Sequence, residues 1–129
     1  MDSLKIGIAG VGTVGTCVVV KLLGGSVKDT TITRLAARDI NKDRGFKMPE
    51  SQWTQNALDL AYADDVDVLV ELIGGADGTA LELVRAALAN KKHIVTANKA
   101  LLAKHGLELA ELAEKNTCIM KYEAAVAGG

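Results

Sequence analysis

Lys5-Ile6-Gly7-Ile8-Ala9-Gly10-Val11-Gly12-Thr13-Val14-Gly15 decides how the rest of this chain is read. A short apolar run enters a G-x-G-x-x-G sequence. After it Val14, Val18, Val19, Leu22 and Leu23 recur at helical spacing, with Gly24-Gly25 as a stop. The pattern is a strand turning into a helix N-terminus. Gly10 suits the tight turn, Gly12 leaves room for a pyrophosphate at the backbone, and Gly15 lets the helix pack closely on the strand. Val11 lies inside this loop, and the N–H groups of Thr13 and Val14 would face the phosphates with the helix dipole behind them. An exposed dipole contributes only about 0.3–1 kcal/mol, so backbone hydrogen bonds must supply most of the grip. Glycines at this spacing also occur in ordinary loops, and the remaining sequence has to arbitrate.

The chain has 129 residues, 49% of them hydrophobic and 24% charged, with a single proline. That is room for one ordered domain with a real core. A net charge of −1 gives no footprint for nucleic acid or an anionic membrane. No apolar run is long enough to span a bilayer and no secretory signal opens the chain, so the expected location is cytoplasmic. Cys17 and Cys118 lack metal-ligand spacing and read as reduced thiols. The final Ala127-Gly128-Gly129 reads as the middle of a loop, as in a piece of a longer protein.

Taken in order, the first strand covers about Leu4–Ala9 and the second Thr31–Ala37, with Arg38-Asp39 at its end. Asn41 to Gln55, holding Gly45, Pro49 and the only tryptophan, Trp53, is irregular: loop, a short helical turn and a short edge strand. Asn56 can cap a short helix over Ala57–Ala63. Asp64, Asp65 and Asp67 read as a solvated turn rather than a metal site. Val66–Ile73 is a strong strand ending at Gly74-Gly75. Asp77 or Thr79 would cap the next helix, whose Leu81, Val84 and Leu88 repeat at helical spacing, and the helix dipole accounts for Lys91 and Lys92 at its end. His93–Ala97 is a strand, a helix breakable at Gly106 runs to about Lys115, and Thr117–Tyr122 closes the order. Such alternation predicts an α/β fold: a doubly wound parallel sheet of the Rossmann type, helices on both faces, in a single domain. Right-handed crossovers would set the first and fourth strands beside a topological switch point, where a dinucleotide would lie.

Arg38 stands where NAD-binding folds often place an acid. Its guanidinium can pair with a 2′-phosphate, which favours NADP over NAD; alternatively Arg38 points to solvent and Asp39 takes the ribose. Gly74 and Gly75 would let backbone approach the ribose or nicotinamide end of the cofactor. Lys99, at the tip of the fifth strand, would point into the crevice, where it could orient a substrate hydroxyl or assist proton transfer. His93 and His105 read as isolated side chains, not metal ligands.

Four segments together, GVGTVG (10–15), ELIGG (71–75), VTANKALLA (95–103) and YEAAVAGG (122–129), resemble the N-terminal nucleotide-binding domain of homoserine dehydrogenase. The resemblance spans essentially the whole chain. It implies an oxidoreductase of threonine and methionine biosynthesis that interconverts L-homoserine and L-aspartate 4-semialdehyde with NAD(P)(H). It further implies that Gly10–Gly15 cradles the pyrophosphate, Arg38 lies by the adenosine ribose, and Thr96 and Lys99 lie near the nicotinamide. Lys99 matches the family's active-site lysine. Glu123 and the carbonyls of Val126 and Gly128 match part of a sodium site whose next ligand would fall beyond Gly129. The family's substrate-binding and dimerising region would follow this domain, so the full-length enzyme is expected to be a homo-oligomer. This chain is expected to bind cofactor without turnover. An aspartate dehydrogenase-like domain and a non-catalytic nucleotide-sensing module are the alternatives.

Overall fold

A computed structural model describes residues 3–12, 29–39 and 45–123. Six parallel strands form one sheet: β1 (Leu4–Ala9), β2 (Thr30–Ala36), β3 (Trp53–Thr54), β4 (Val68–Glu71), β5 (His93–Thr96) and β6 (Met120–Tyr122). Their order across the sheet is β3-β2-β1-β4-β5-β6. All five neighbouring pairs are parallel. This is the doubly wound Rossmann order, with the direction of winding reversing between β1 and β4.

Three described α-helices, α1 (Leu58–Tyr62), α2 (Thr79–Ala89) and α3 (Lys99–Lys115), contribute Leu60, Leu83, Val84, Leu88, Leu101 and Leu109 to a core shared with Leu69 and Ile94 of the sheet. A second apolar cluster joins Ile6, Ile8, Val11, Ile32, Leu35 and Val70. Phe46 and Trp53 pack against it, their rings stacked 6.0 Å apart. The helix expected over residues 14–23, with Gly15 and Cys17, lies outside the described residues. No described helix is long and apolar enough to cross a membrane.

Several element ends differ from the sequence expectation, each for a local reason. The strand expected over Val66–Ile73 is trimmed to β4 because its flanking backbone bonds elsewhere: the Val66 carbonyl accepts from Lys92, and the Ile73 N–H donates to the Glu71 carboxylate. Lys92 is therefore not a dipole-compensating surface lysine. It is buried, and its ammonium donates to the carbonyls of Ala63 (2.6 Å) and Val66 (2.8 Å), satisfying the end of α1. Lys91 sits one residue past the Asn90 cap of α2 with φ +61°. The N–H groups of Lys91 and Lys92 return to the carbonyls of Leu88 and Ala87, a Schellman ending. Thr117 and Cys118 repeat this motif after α3, which delays β6 to Met120. Neither Asp77 nor Thr79 caps α2: Gly78 stands at the cap position, and there is no side-chain cap hydrogen bond among the described residues.

Two of the three aspartates beside β4 have structural partners, while Asp64 is exposed. Asp65 takes a bidentate contact from Arg34 (3.0 and 3.1 Å), and Asp67 accepts the Lys5 N–H (2.9 Å). Burial raises the pKa of the half-buried Cys118 thiol. Helix α3 is continuous through Gly106, where an added Cβ would meet only Leu102 Cβ at 3.9 Å. Gly106→Ala should therefore raise stability by about 0.5–1 kcal/mol through helix propensity and chain entropy, read as a higher urea midpoint at constant m.

Candidate dinucleotide-binding site

The loop after β1 is held from both sides by backbone bonds. The Gly10 N–H donates to Ala36 O at the end of β2 (2.9 Å), and Leu72 N–H donates to Ala9 O from beyond β4 (2.8 Å). Gly10 turns the chain with φ +96°, and a Cβ there would lie 2.9 Å from the carbonyl carbon and oxygen of Leu72. No side chain fits. At Gly12 the situation is opposite, since nothing among the described residues lies within 4 Å of an added Cβ. The first glycine makes the turn, and the second keeps space open above it.

That space belongs to a cavity of 540 Å³ at the carboxyl ends of the strands. Its floor is Gly10, Val11 and Gly12; Ala36 to Asp39 form one wall, and Leu72, Ile73 and Thr79 another. Gln55, Asn56 and Ala57 complete it. Arg38 and Asp39 both line the rim, exposed, and the Gln55 amide donates to the Arg38 carbonyl (3.0 Å), which steadies the rim's backbone. Asn56 Oδ1 accepts the Leu58 N–H and so orders the start of α1 beside the cavity. A mostly apolar cleft with a few polar groups and one guanidinium at the switch point can take the adenosine half of a dinucleotide.

On the other side of the switch point lie the turns after β4 and β5, joined by a buried polar network. Glu71 is fully buried within an otherwise apolar strand. One carboxylate oxygen accepts the Thr96 hydroxyl at 2.7 Å; the other accepts the N–H groups of Ile73 (2.8 Å) and Gly74 (3.1 Å). Thr96, also fully buried, pairs with Glu71 in the β4–β5 register, and its hydroxyl accepts the Asn98 N–H at 3.0 Å. The Asn98 side chain caps α3 by accepting from Leu101 N–H (3.0 Å) and donates to the Gly75 carbonyl (2.7 Å). Among the described residues no buried side-chain nitrogen or oxygen lacks a partner. Each partner costs little to keep and much to lose, because an unsatisfied buried polar group is worth about 1–3 kcal/mol.

Lys99 is the first residue of α3 and is exposed. Gly74 and Gly75 are exposed on the facing turn. Farther along that turn Asp77 is held by Lys104 (2.7 Å) and His105 (2.9 Å) of α3, contacts that lower its pKa. Arg85 grips Glu108 with two bonds of 2.6 and 2.8 Å and lowers that carboxyl likewise. These pairs tie α2 and the turn before it to α3 and add little stability individually. Half-buried Glu123 has its carboxylate 3.8 Å from the Lys121 ammonium. Thr13, Val14, Gly15, Val126 and Gly128 lie outside the described residues.

The cavity thus brings Gly10, Val11, Gly12 and Arg38 together, while Gly74, Gly75, Thr96 and Lys99 gather across the switch point. Reasoning from sequence passed over Glu71 and the contributions of Gln55, Asn56 and Thr79. For Glu71 a signal existed: a lone acid inside the apolar run Val66–Ile73 has to find buried donors. For Gln55 and Asn56 there was none, since their place in the wall depends on where β3 and α1 pack.

Comparison with known proteins agrees with this fold. Residues 10–123 match the family described as homoserine dehydrogenase, NAD binding domain. The chain is 40% identical to a homoserine dehydrogenase of Bacillus subtilis, all of this chain aligning with 31% of that protein. It is 41% identical to one of Pseudomonas aeruginosa, again over all of this chain and 31% of the relative. Among solved structures, a homoserine dehydrogenase of S. aureus at pH 7.5 superposes with a TM-score of 0.83 at 35% identity, over 95% of this chain and 33% of that one. One from Thiobacillus denitrificans gives 0.78 at 35% identity, over 97% of this chain and 30% of that one. The chain therefore spans about a third of the length of the relatives it matches.

Proposed function

Because this chain belongs to the homoserine dehydrogenase NAD-binding domain family, we propose that residues 1–129 form the dinucleotide-binding domain of a cytoplasmic homoserine dehydrogenase. On this reading the whole enzyme interconverts L-homoserine and L-aspartate 4-semialdehyde and is a homo-oligomer. The observation that carries the reading is the cavity at the switch point, open above Gly12 and rimmed by Arg38.

The free space over Gly12 fits a pyrophosphate, and Gly10 to Gly15 would hold it through backbone N–H groups. Arg38 would take the 2′-phosphate of NADP, with NAD accepted more weakly; Asp39 would contact the ribose if the 2′-phosphate were absent. Gly74, Gly75 and Thr96 would border the nicotinamide half. The bound cofactor supplies the hydride-transferring ring, while Lys99 would hold the substrate oxygen and help move its proton. One ammonium cannot also bind and orient an amino-acid substrate, so this chain binds the dinucleotide without turning substrate over. Glu123 with the carbonyls of Val126 and Gly128 would contribute to a sodium site, and no step depends on it.

Titration of NADPH and NADH against Trp53 fluorescence tests the assignment. Trp53 pairs with Leu35 in the sheet, two residues before the cavity-lining Gln55. A charge-assisted contact to the 2′-phosphate is worth about 1.5–3 kcal/mol, so NADPH should bind roughly ten- to hundredfold tighter, and Arg38→Ala should erase the difference. Equal affinities in the wild type, or an unchanged ratio in the variant, would refute the NADP assignment. Turnover of homoserine with NADP by this chain alone would refute its catalytic silence.

A further inference from the structure

We propose that Glu71, Thr96 and Asn98 act as one positioning unit that sets the turn after β4 against the start of α3, and thereby the placement of Lys99 toward the nicotinamide half. The inference rests on the functional reading above. Its own basis is geometric.

A dinucleotide crossing the sheet between β1 and β4 lies with one half over the cavity described. Its other half must then lie over the carboxyl ends of β4 and β5. Those two ends are the Gly74-Gly75 turn and the Asn98-Lys99 helix start. Asp77 ties the far end of the first turn to α3 through Lys104 and His105, but those contacts do not reach Gly74, Gly75 or Asn98. They are joined instead by a continuous path: Gly74 N–H to Glu71, Glu71 to the Thr96 hydroxyl, Thr96 to Asn98 N–H, and Asn98 back to the Gly75 carbonyl. The loop of bonds closes on itself. Asn98 is the shared member, because its side-chain oxygen caps α3 while its amide nitrogen grips the opposite turn. The direction in which α3 starts, and with it Lys99, is thus tied to the lip over which the nicotinamide would rest. A fully satisfied buried network of this kind rigidifies what it joins.

Two variants separate positioning from stability. Asn98→Ser keeps a capping oxygen for α3 but is too short to reach Gly75 O. Glu71→Gln keeps an acceptor for the N–H groups of Ile73 and Gly74 but turns a donor toward Thr96. Each would be titrated with NADPH and with 2′-phospho-ADP-ribose, which lacks the nicotinamide ring. The expected result is NADPH binding weakened about five- to tenfold in both variants, with the ring-less ligand bound within twofold of wild type, since only the second half of the dinucleotide meets the network. General loosening of the fold would weaken both ligands together and overturn the proposal, as would unchanged NADPH binding in either variant. Failure of the wild type to bind either ligand would overturn the functional reading itself and this inference with it.

Discussion

Glu71→Ala should lower the unfolding free energy by about 3 kcal/mol, the largest stability loss expected from any single side chain at this site. Three donors point at the carboxylate: the Thr96 hydroxyl and the N–H groups of Ile73 and Gly74. Alanine accepts from none of them. The Thr96 hydroxyl is fully enclosed and cannot turn to water, and the vacated volume adds a cavity cost. In a chain of this size the loss corresponds to a fall of roughly 10–15 °C in Tm. Glu71→Gln preserves shape and two of the three bonds and should lose less than half as much. Thermal and urea melts of the two variants read the difference. A loss below about 1 kcal/mol for Glu71→Ala would mean that water reaches all three donors and that the network is not the structural tie described.

The second large effect is expected at Gly10, and the contrast with Gly12 gives it meaning. Gly10→Ala places a methyl group 2.9 Å from the backbone of Leu72, in a conformation of φ +96° that costs an L-residue about 1–2 kcal/mol before any clash. The obstacle is main chain paired to β1, which cannot swing aside. The variant should lose about 3 kcal/mol and at least ten times its dinucleotide affinity, because relief of the clash must part the strand ends that floor the cavity. Gly12→Ala meets nothing within 4 Å among the described residues and should melt within about 1 kcal/mol of wild type. It should nevertheless weaken NADPH binding at least tenfold, because its methyl occupies the space the pyrophosphate needs. Melting curves paired with NADPH titrations separate these outcomes. Equal stability losses at the two glycines would contradict the division of roles.

Legibility from sequence followed the range of the interactions involved. The parallel strands show as apolar runs because both faces of a central strand are covered, and β1 with its glycine turn is such a case. Strand ends were less readable. Val66 looks like strand by its side chain, yet its carbonyl is drawn away by Lys92, twenty-six residues on. The same contact turned Lys92 from a surface lysine into a buried donor. Asp77 resembles a helix cap, but its carboxylate is held by Lys104 and His105 across the gap between helices. In each case a local preference of a few tenths to one kilocalorie yielded to a partner brought in by packing.

From the linear pattern alone followed the class of fold, the sheet's switch point, the turn at Gly10 and the open space at Gly12. Their causes lie within a few residues: hydrophobic period, glycine geometry and the obligation of each strand to cross over right-handed. Tertiary structure alone decided which polar groups answer one another. Glu71 is only an odd acid in an apolar run until β5 brings Thr96 beside it and Asn98 closes the path to Gly75. A buried carboxylate must find donors, but which donors it finds is set by strand order and register, and no local rule contains them.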